Sequence, residues 1–205
     1  MRTSGVLFIA TVLFLTGCSD APKPQTAKKE EPKKDPEPIT GKSAFFKVYV
    51  AARSWANDAQ CLSVVNIPIA EVKAAPGKYG AWRVTVVSPS KLRQRSYTWS
   101  AVEADGNLHE GVFPGPEESY TPSRTVRPFV IAALKTDTDE ALKIAVEKSA
   151  AYMKRNPDMR INYLLELGEK HPNPAWRVIW GDSVGTSGHS VFVDASTGAY
   201  LETRH

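Results

Sequence analysis

Few side chains in this sequence are of types that do covalent chemistry, and their spacing limits what that chemistry is. There are four histidines, His109, His171, His189 and His205, and two cysteines, Cys18 and Cys61. No histidine stands at metal-ligand spacing from a second ligand, so the reading is no metal site and no cofactor. Gly181-Asp182-Ser183-Val184-Gly185 sets a serine in a context found around serine nucleophiles. Acyl transfer at Ser183 also needs a base and an oxyanion hole, and His171 and His189 are the nearest bases in sequence. The stretch 181–188 (GDSVGTSG) lies between two strand patterns, where a glycine-rich hairpin loop is expected. It also lacks the strand-to-helix elbow of hydrolases. The expectation is therefore a chain that is not an enzyme, with no catalytic residue assigned.

Cys18 is different, because the residues before it prepare it for modification. Arg2 supplies a positive start, and Val6 to Leu15 (VLFIATVLFL) is uncharged. Ten helical residues reach about 15 Å, roughly half the hydrocarbon core of a bilayer, so this is a signal-peptide core and not a membrane span. It ends in Leu15-Thr16-Gly17-Cys18, which resembles the bacterial lipobox. Small residues let the backbone enter a peptidase site, and the thiol is the nucleophile that takes the diacylglycerol. The mature chain is expected to begin at Cys18 and to be held at a membrane by lipid, each buried methylene adding about 0.8 kcal/mol. It then works outside the cytoplasm. Ser19 after the lipidated cysteine resembles outer-membrane sorting signals, which places the protein on the outer membrane facing the periplasm if the host is Gram-negative. Cys61 is left without an internal disulfide partner and reads as a small buried hydrophobe.

Residues 18–40 form the expected tether. Ala21 to Thr40 (APKPQTAKKEEPKKDPEPIT) holds five prolines, five lysines and four acidic residues, with no aromatic. Such a segment buries too little apolar surface to offset its ordering entropy and is expected to be disordered. At about 3.1 Å per residue its reach is roughly 60 Å. The whole chain carries a formal charge of +4, and most of the remainder is balanced, so the basic pI near 9.0 is no nucleic-acid footprint.

From residue 41 onward the chain reads as two similar halves, 41–120 and 121–205. Ala81-Trp82-Arg83-Val84 in the first matches Ala175-Trp176-Arg177-Val178 in the second. A helix is expected from about Ser43 to Gln60, with Phe45, Val48, Tyr49, Ala52 and Trp55 on one face. A second is expected from about Thr138 to Asn156, with Asp137, Asp139 and Glu140 at its positive end and Pro157 preventing continuation. Strands are expected at 62–67, 81–87 and 95–102, then over Ile161 to Leu167, Trp176 to Trp180 and from Ser190 to Val193. Phe113 to Ser123 (FPGPEESYTPS) reads as a connection. The fold class is α+β: two helix-strand-strand-strand repeats, an antiparallel sheet with helices packed on one face.

The second half resembles a PepSY domain, through the helix Ala141-Leu142-Lys143-Ile144-Ala145, the strand beginning Ala175-Trp176-Arg177-Val178, and the ending Val191-Phe192-Val193-Asp194-Ala195-Ser196-Thr197-Gly198-Ala199-Tyr200-Leu201. The first half is a divergent version. The resemblance implies a module that binds or restrains partner proteins, often peptidases, with no shared catalytic residues. The expected function is therefore a membrane-tethered protein-binding or inhibitory module; the alternative is a structural envelope-assembly lipoprotein. Tyr97 and Trp99, among Arg93, Arg95 and Ser100, are the candidate partner surface, because aromatic and arginine side chains dominate interface energetics. The competing reading places them in the core beneath a helix.

Overall fold

The computed structural model describes residues 35–205. The signal peptide at 1–17, the lipid site at Cys18 and most of the tether lie outside the described residues. The order of elements is β1 (Ile39–Thr40), α1 (Gly41–Trp55), β2 (Gln60–Ile67), β3 (Lys78–Tyr79), β4 (Ala81–Ser88), β5 (Arg93–Ser100), β6 (Gly111–Ser119), β7 (Val126–Arg127), α2 (Thr138–Arg155), β8 (Ile161–Gly168), β9 (Ala175–Trp180), β10 (His189–Asp194) and β11 (Tyr200–Arg204). A 3-10 turn, Ile131–Ala133, precedes α2.

The sheet is antiparallel throughout, in the order β11-β10-β9-β8-β2-β4-β5-β6, with β7 attached to the end of β8. The two halves thus join edge to edge through β2 and β8, where Val64 lies opposite Leu165 and Val65 opposite Leu164. Each half supplies one helix; the first supplies four strands of this sheet and the second four and the short β7, where three each were expected. The strand missed in the first half is β6. Its Pro114 and Pro116 argue against a central strand, but β6 is an edge, where a residue without an N–H leaves no neighbour unsatisfied. Prolines there also blunt further strand pairing.

Both helices cover the same face of the sheet. Ala44, Phe45, Val48 and Ala52 of α1 and Ala141 and Ala145 of α2 share one core with Val64, Trp82, Val84, Tyr97, Tyr163, Leu165, Trp176, Val178 and Val191. The helix α1 ends five residues before its expected limit. Its apolar spacing continues through Ala56 and Ala59, but Asp58 accepts from Ser88 Oγ at 2.6 Å and from the Ser90 amide at 2.8 Å, which turns the chain into β2. Those hydrogen bonds hold the Asp58 carboxyl at a pKa of about 2. The helix α2 follows its expected bounds, with a capping box of Asp137 and Glu140.

The helix N-termini meet over the middle of the sheet. Gly41 N–H donates to Thr138 Oγ1 at 3.0 Å, and Lys42 N–H donates to Asp137 Oδ1 at 3.0 Å. Asp137 therefore serves both positive helix ends at once. Gly41 sits where a Cβ would come within 2.6 Å of Trp176 Cη2 and 3.1 Å of Trp82 Cη2. The two tryptophans make corresponding contacts. Trp82 Nε1 donates to Ile39 O and Trp176 Nε1 to Thr136 O, in each case the carbonyl just before the helix cap.

This corrects the tether's end: Ile39 and Thr40 are not loose but pair with Tyr79 and Lys78. Their composition is polar and flanked by proline, yet the Trp82 indole and the α1 cap supply the partners that offset ordering. At the other end of the chain, Asp194 Oδ1 accepts from the Ser196 and Thr197 amides at 2.8 and 3.0 Å, so this aspartate closes a turn.

Candidate functional site

The candidate surface at Tyr97 and Trp99 is corrected by burial. Tyr97 is 2% exposed and Trp99 7%, both in the core beneath α1. Strand parity explains it. Tyr97 pairs with Val84 and Trp99 with Trp82, so all four point to the helix side. Arg93 and Arg95 have the same parity, and Arg95 reaches the end of α1, with its guanidinium 5.4 Å from the centre of the Trp55 ring.

Ser183 lies in the loop between β9 and β10, as the glycine pattern implied. Its hydroxyl shares a hydrogen with Thr186 Oγ1 at 2.9 Å and accepts from the Thr186 amide, a local turn contact. His189 is buried and spends Nε2 on Ser149 Oγ at 2.8 Å, with its ring stacked 4.2 Å from that of Tyr152. Its Nδ1 lies 3.3 Å from His205 Nδ1. Burial first, and the His205 charge second, hold His189 below its ordinary pKa. His109 is half-exposed and contacts Glu103 at 3.1 Å. Cys61 is buried, and burial pushes its thiol well up. Among the described residues no group of three or more His, Cys, Asp or Glu side chains is arranged to hold a metal. Among them, too, no helix is long and apolar enough to cross a membrane.

Chemistry-bearing side chains gather instead on the face of the sheet that no helix covers. The alternation Ala-Trp-Arg-Val drives this: Trp176 and Val178 go to the core, so Arg177 goes to the open face. Across the strands one row runs Val65, Leu164, Arg177, Phe192, Glu202, each opposite the next. Two guanidinium groups lie over the Phe192 ring, with Arg177 Cζ 5.3 Å and Arg204 Cζ 4.3 Å from its centroid. Arg177 Nε donates to Ser190 Oγ at 3.0 Å, which fixes the plane of the guanidinium.

Beside this row is a hollow of about 280 Å³, lined in part by Val126, Leu164, Glu166, Arg177, Val184 and Phe192. A second hollow of about 340 Å³ shares Leu164 and Val184 with it and continues to Val65 and Ile179. The rim is closed electrostatically by Glu202, which takes Arg204 at 2.6 Å, Lys170, and His171 at 3.4 Å. Burial alone would raise Glu202, but its hydrogen bonds to Lys170 and Arg204 outweigh that and bring it to about 2. Glu166 goes the other way: burial raises it, only partly opposed by the Arg177 charge. Arg177 is itself lowered, by burial and then by the like charge of Arg204. Sequence reasoning missed this group. The signal was present in the parity of Arg177 against Trp176 and of Phe192 against Val191 and Val193.

No family model and no curated protein matches the chain. A solved structure from Clostridium difficile 630, provisionally described as a lipoprotein, is similar at 10% identity and a TM-score of 0.44, covering 78% of this chain and 91% of that one. At that distance it carries no argument about this chain. The fold and the open face define the class: an α+β protein with a large antiparallel sheet, two helices on one face and an open, arginine-bearing face on the other.

Proposed function

We propose that this chain is an extracytoplasmic, membrane-tethered module that binds a polypeptide partner through the open face of its sheet. Cys18 is the lipid anchor, and the proline-rich segment after it holds the domain off the bilayer. The observation that carries the binding reading is Phe192 under the guanidinium groups of Arg177 and Arg204, at the edge of a hollow floored by Leu164. Arginine and aromatic side chains over an apolar floor are the composition of interface anchors. Enzymatic chemistry is no part of this reading, since Ser183 and Ser149 each have their hydroxyls in local or core contacts.

The two halves are read as a duplicated, PepSY-like unit. The support is the matched indole bonds of Trp82 and Trp176 to the carbonyls ahead of their helices. A peptidase as the partner rests on that family resemblance.

Affinity capture from envelope extract with the full chain, beside a Phe192→Ala variant, tests the binding reading. A protein retained by the first and lost by the second supports it. No specific partner with both chains folded favours the envelope-assembly scaffold. Labelled palmitate incorporated into the wild-type chain and absent from Cys18→Ser tests the anchor.

A further inference from the structure

We propose that the hollow over β8, β9 and β10 binds a small zwitterion, an apolar α-amino acid or the equivalent short peptide, with its ammonium against Glu166 and its carboxylate against Arg177. This goes beyond the partner-binding reading and does not depend on it. Glu166 lies opposite Ala175 and Arg177 opposite Leu164, so the two charged residues are diagonal neighbours on adjacent strands, about 7–8 Å apart at the backbone. Both line the same hollow, and its other walls include Val126, Leu164, Val184 and Phe192.

The charges in this region divide into two groups. Glu202, Lys170 and Arg204 have closed on one another in ion pairs. Among the described residues Glu166 and Arg177 form no ion pair within 4 Å, and Arg177 spends one nitrogen on Ser190. Glu166 has no hydrogen-bonded partner among the described residues and Arg177 has the one at Nε, and a half-buried charge with so few partners is costly. A ligand bearing only a carboxylate would satisfy Arg177 but face Glu166 with a like charge. A ligand bearing only an amine would do the reverse at Arg177. A ligand carrying both, a few ångströms apart, satisfies the two together and replaces the water they lose. Burial raises the Glu166 carboxyl and, with the like charge of Arg204, lowers the Arg177 guanidinium, and the two groups offset this in each other only in part. A volume of about 280 Å³ is at the small end for ligand sites, which suits one or two residues. The apolar walls then favour an aliphatic side chain.

The test is calorimetric titration of the purified full chain with leucyl-leucine, N-acetyl-leucyl-leucine, leucyl-leucinamide and free leucine. The expected result is saturable binding of leucyl-leucine, weakened roughly tenfold or more by blocking either terminus. Glu166→Gln should lower the affinity for leucyl-leucine and abolish the penalty for acetylation. Arg177→Gln should abolish the penalty for amidation. Leucine binding as tightly as the dipeptide assigns the pocket to free amino acids, and tighter dipeptide binding assigns it to peptide ends. Absence of saturable binding overturns the proposal, as does equal affinity for the free and blocked dipeptides. The blocked ligands make that decision on the wild-type chain, whatever happens to the variants. A negative result leaves the partner-capture experiment untouched.

Discussion

The two halves of the sheet carry the same tetrapeptide in the same place and present different chemistry. On the buried side Trp82 and Trp176 are both 0% exposed and make matched indole bonds. On the open side they part. Arg177 is half-buried, bonded to Ser190 and packed on Phe192. Arg83 is exposed, near Ser96 and Thr98, where the Thr85 and Ser96 hydroxyls pair with each other. The core side of the tetrapeptide is alike in both halves, whereas the surface on the open side differs. The difference teaches that the tryptophan is set by the core and the arginine by whatever the open face meets.

The largest effects should fall where the halves agree. Trp82→Ala and Trp176→Ala are each expected to destabilise by about 3–5 kcal/mol, read from denaturant unfolding. A large inequality between them would break the structural equivalence. The caps come next. Asp137→Ala removes an acceptor for amides of both helices and is expected to cost about 1–2 kcal/mol. Thr40→Ala, which loses the longer bond from the Ser43 amide at 3.4 Å and the part-exposed hydroxyl contact with Ser43 Oγ at 2.8 Å, should cost about 1 kcal/mol or less. Equal costs would mean that Asp137 does not serve α1.

The open faces should then differ in binding. Arg177→Ala is expected to weaken capture of a partner about tenfold, while Arg83→Ala leaves it unchanged. Similar losses at both sites would spread the binding face over the whole sheet.

The smallest effect is a pH dependence carried by His189 in the second half. His189 has its pKa lowered by burial, so the unfolded chain, titrating near 6.5, takes up its proton first as pH falls. Its contribution to stability is complete above about pH 6.5 and is lost as pH drops through the folded value. His189→Gln should flatten that part of a Tm-against-pH curve relative to wild type. Parallel curves would show that His189 does not report on folding.

Much of the framework was legible in sequence because it follows from local periodicity. The α2 boundaries came from Asp137, Glu140 and Pro157, all of which act within a turn of the helix end. The strand alternation around Trp176 came from side-chain parity. Strand β6 was not legible, because whether Pro114 and Pro116 are tolerated depends on the strand being an edge, which no local pattern states. The site at Tyr97 and Trp99 failed for a related reason: aromatic residues on a strand serve a core and an interface equally well until the helix is placed.

The sequence by itself determined the α+β class, the two helices and the parity that sends Trp82 and Trp176 one way and Arg83 and Arg177 the other. These depend on contacts between near neighbours in the chain. Only the tertiary structure decided that β2 pairs with β8, that Asp137 caps two helices, and that Glu166, Arg177, Phe192 and Arg204 share one face. Those contacts join residues tens of positions apart, and their free energy depends on which surfaces the folded chain has already removed from water.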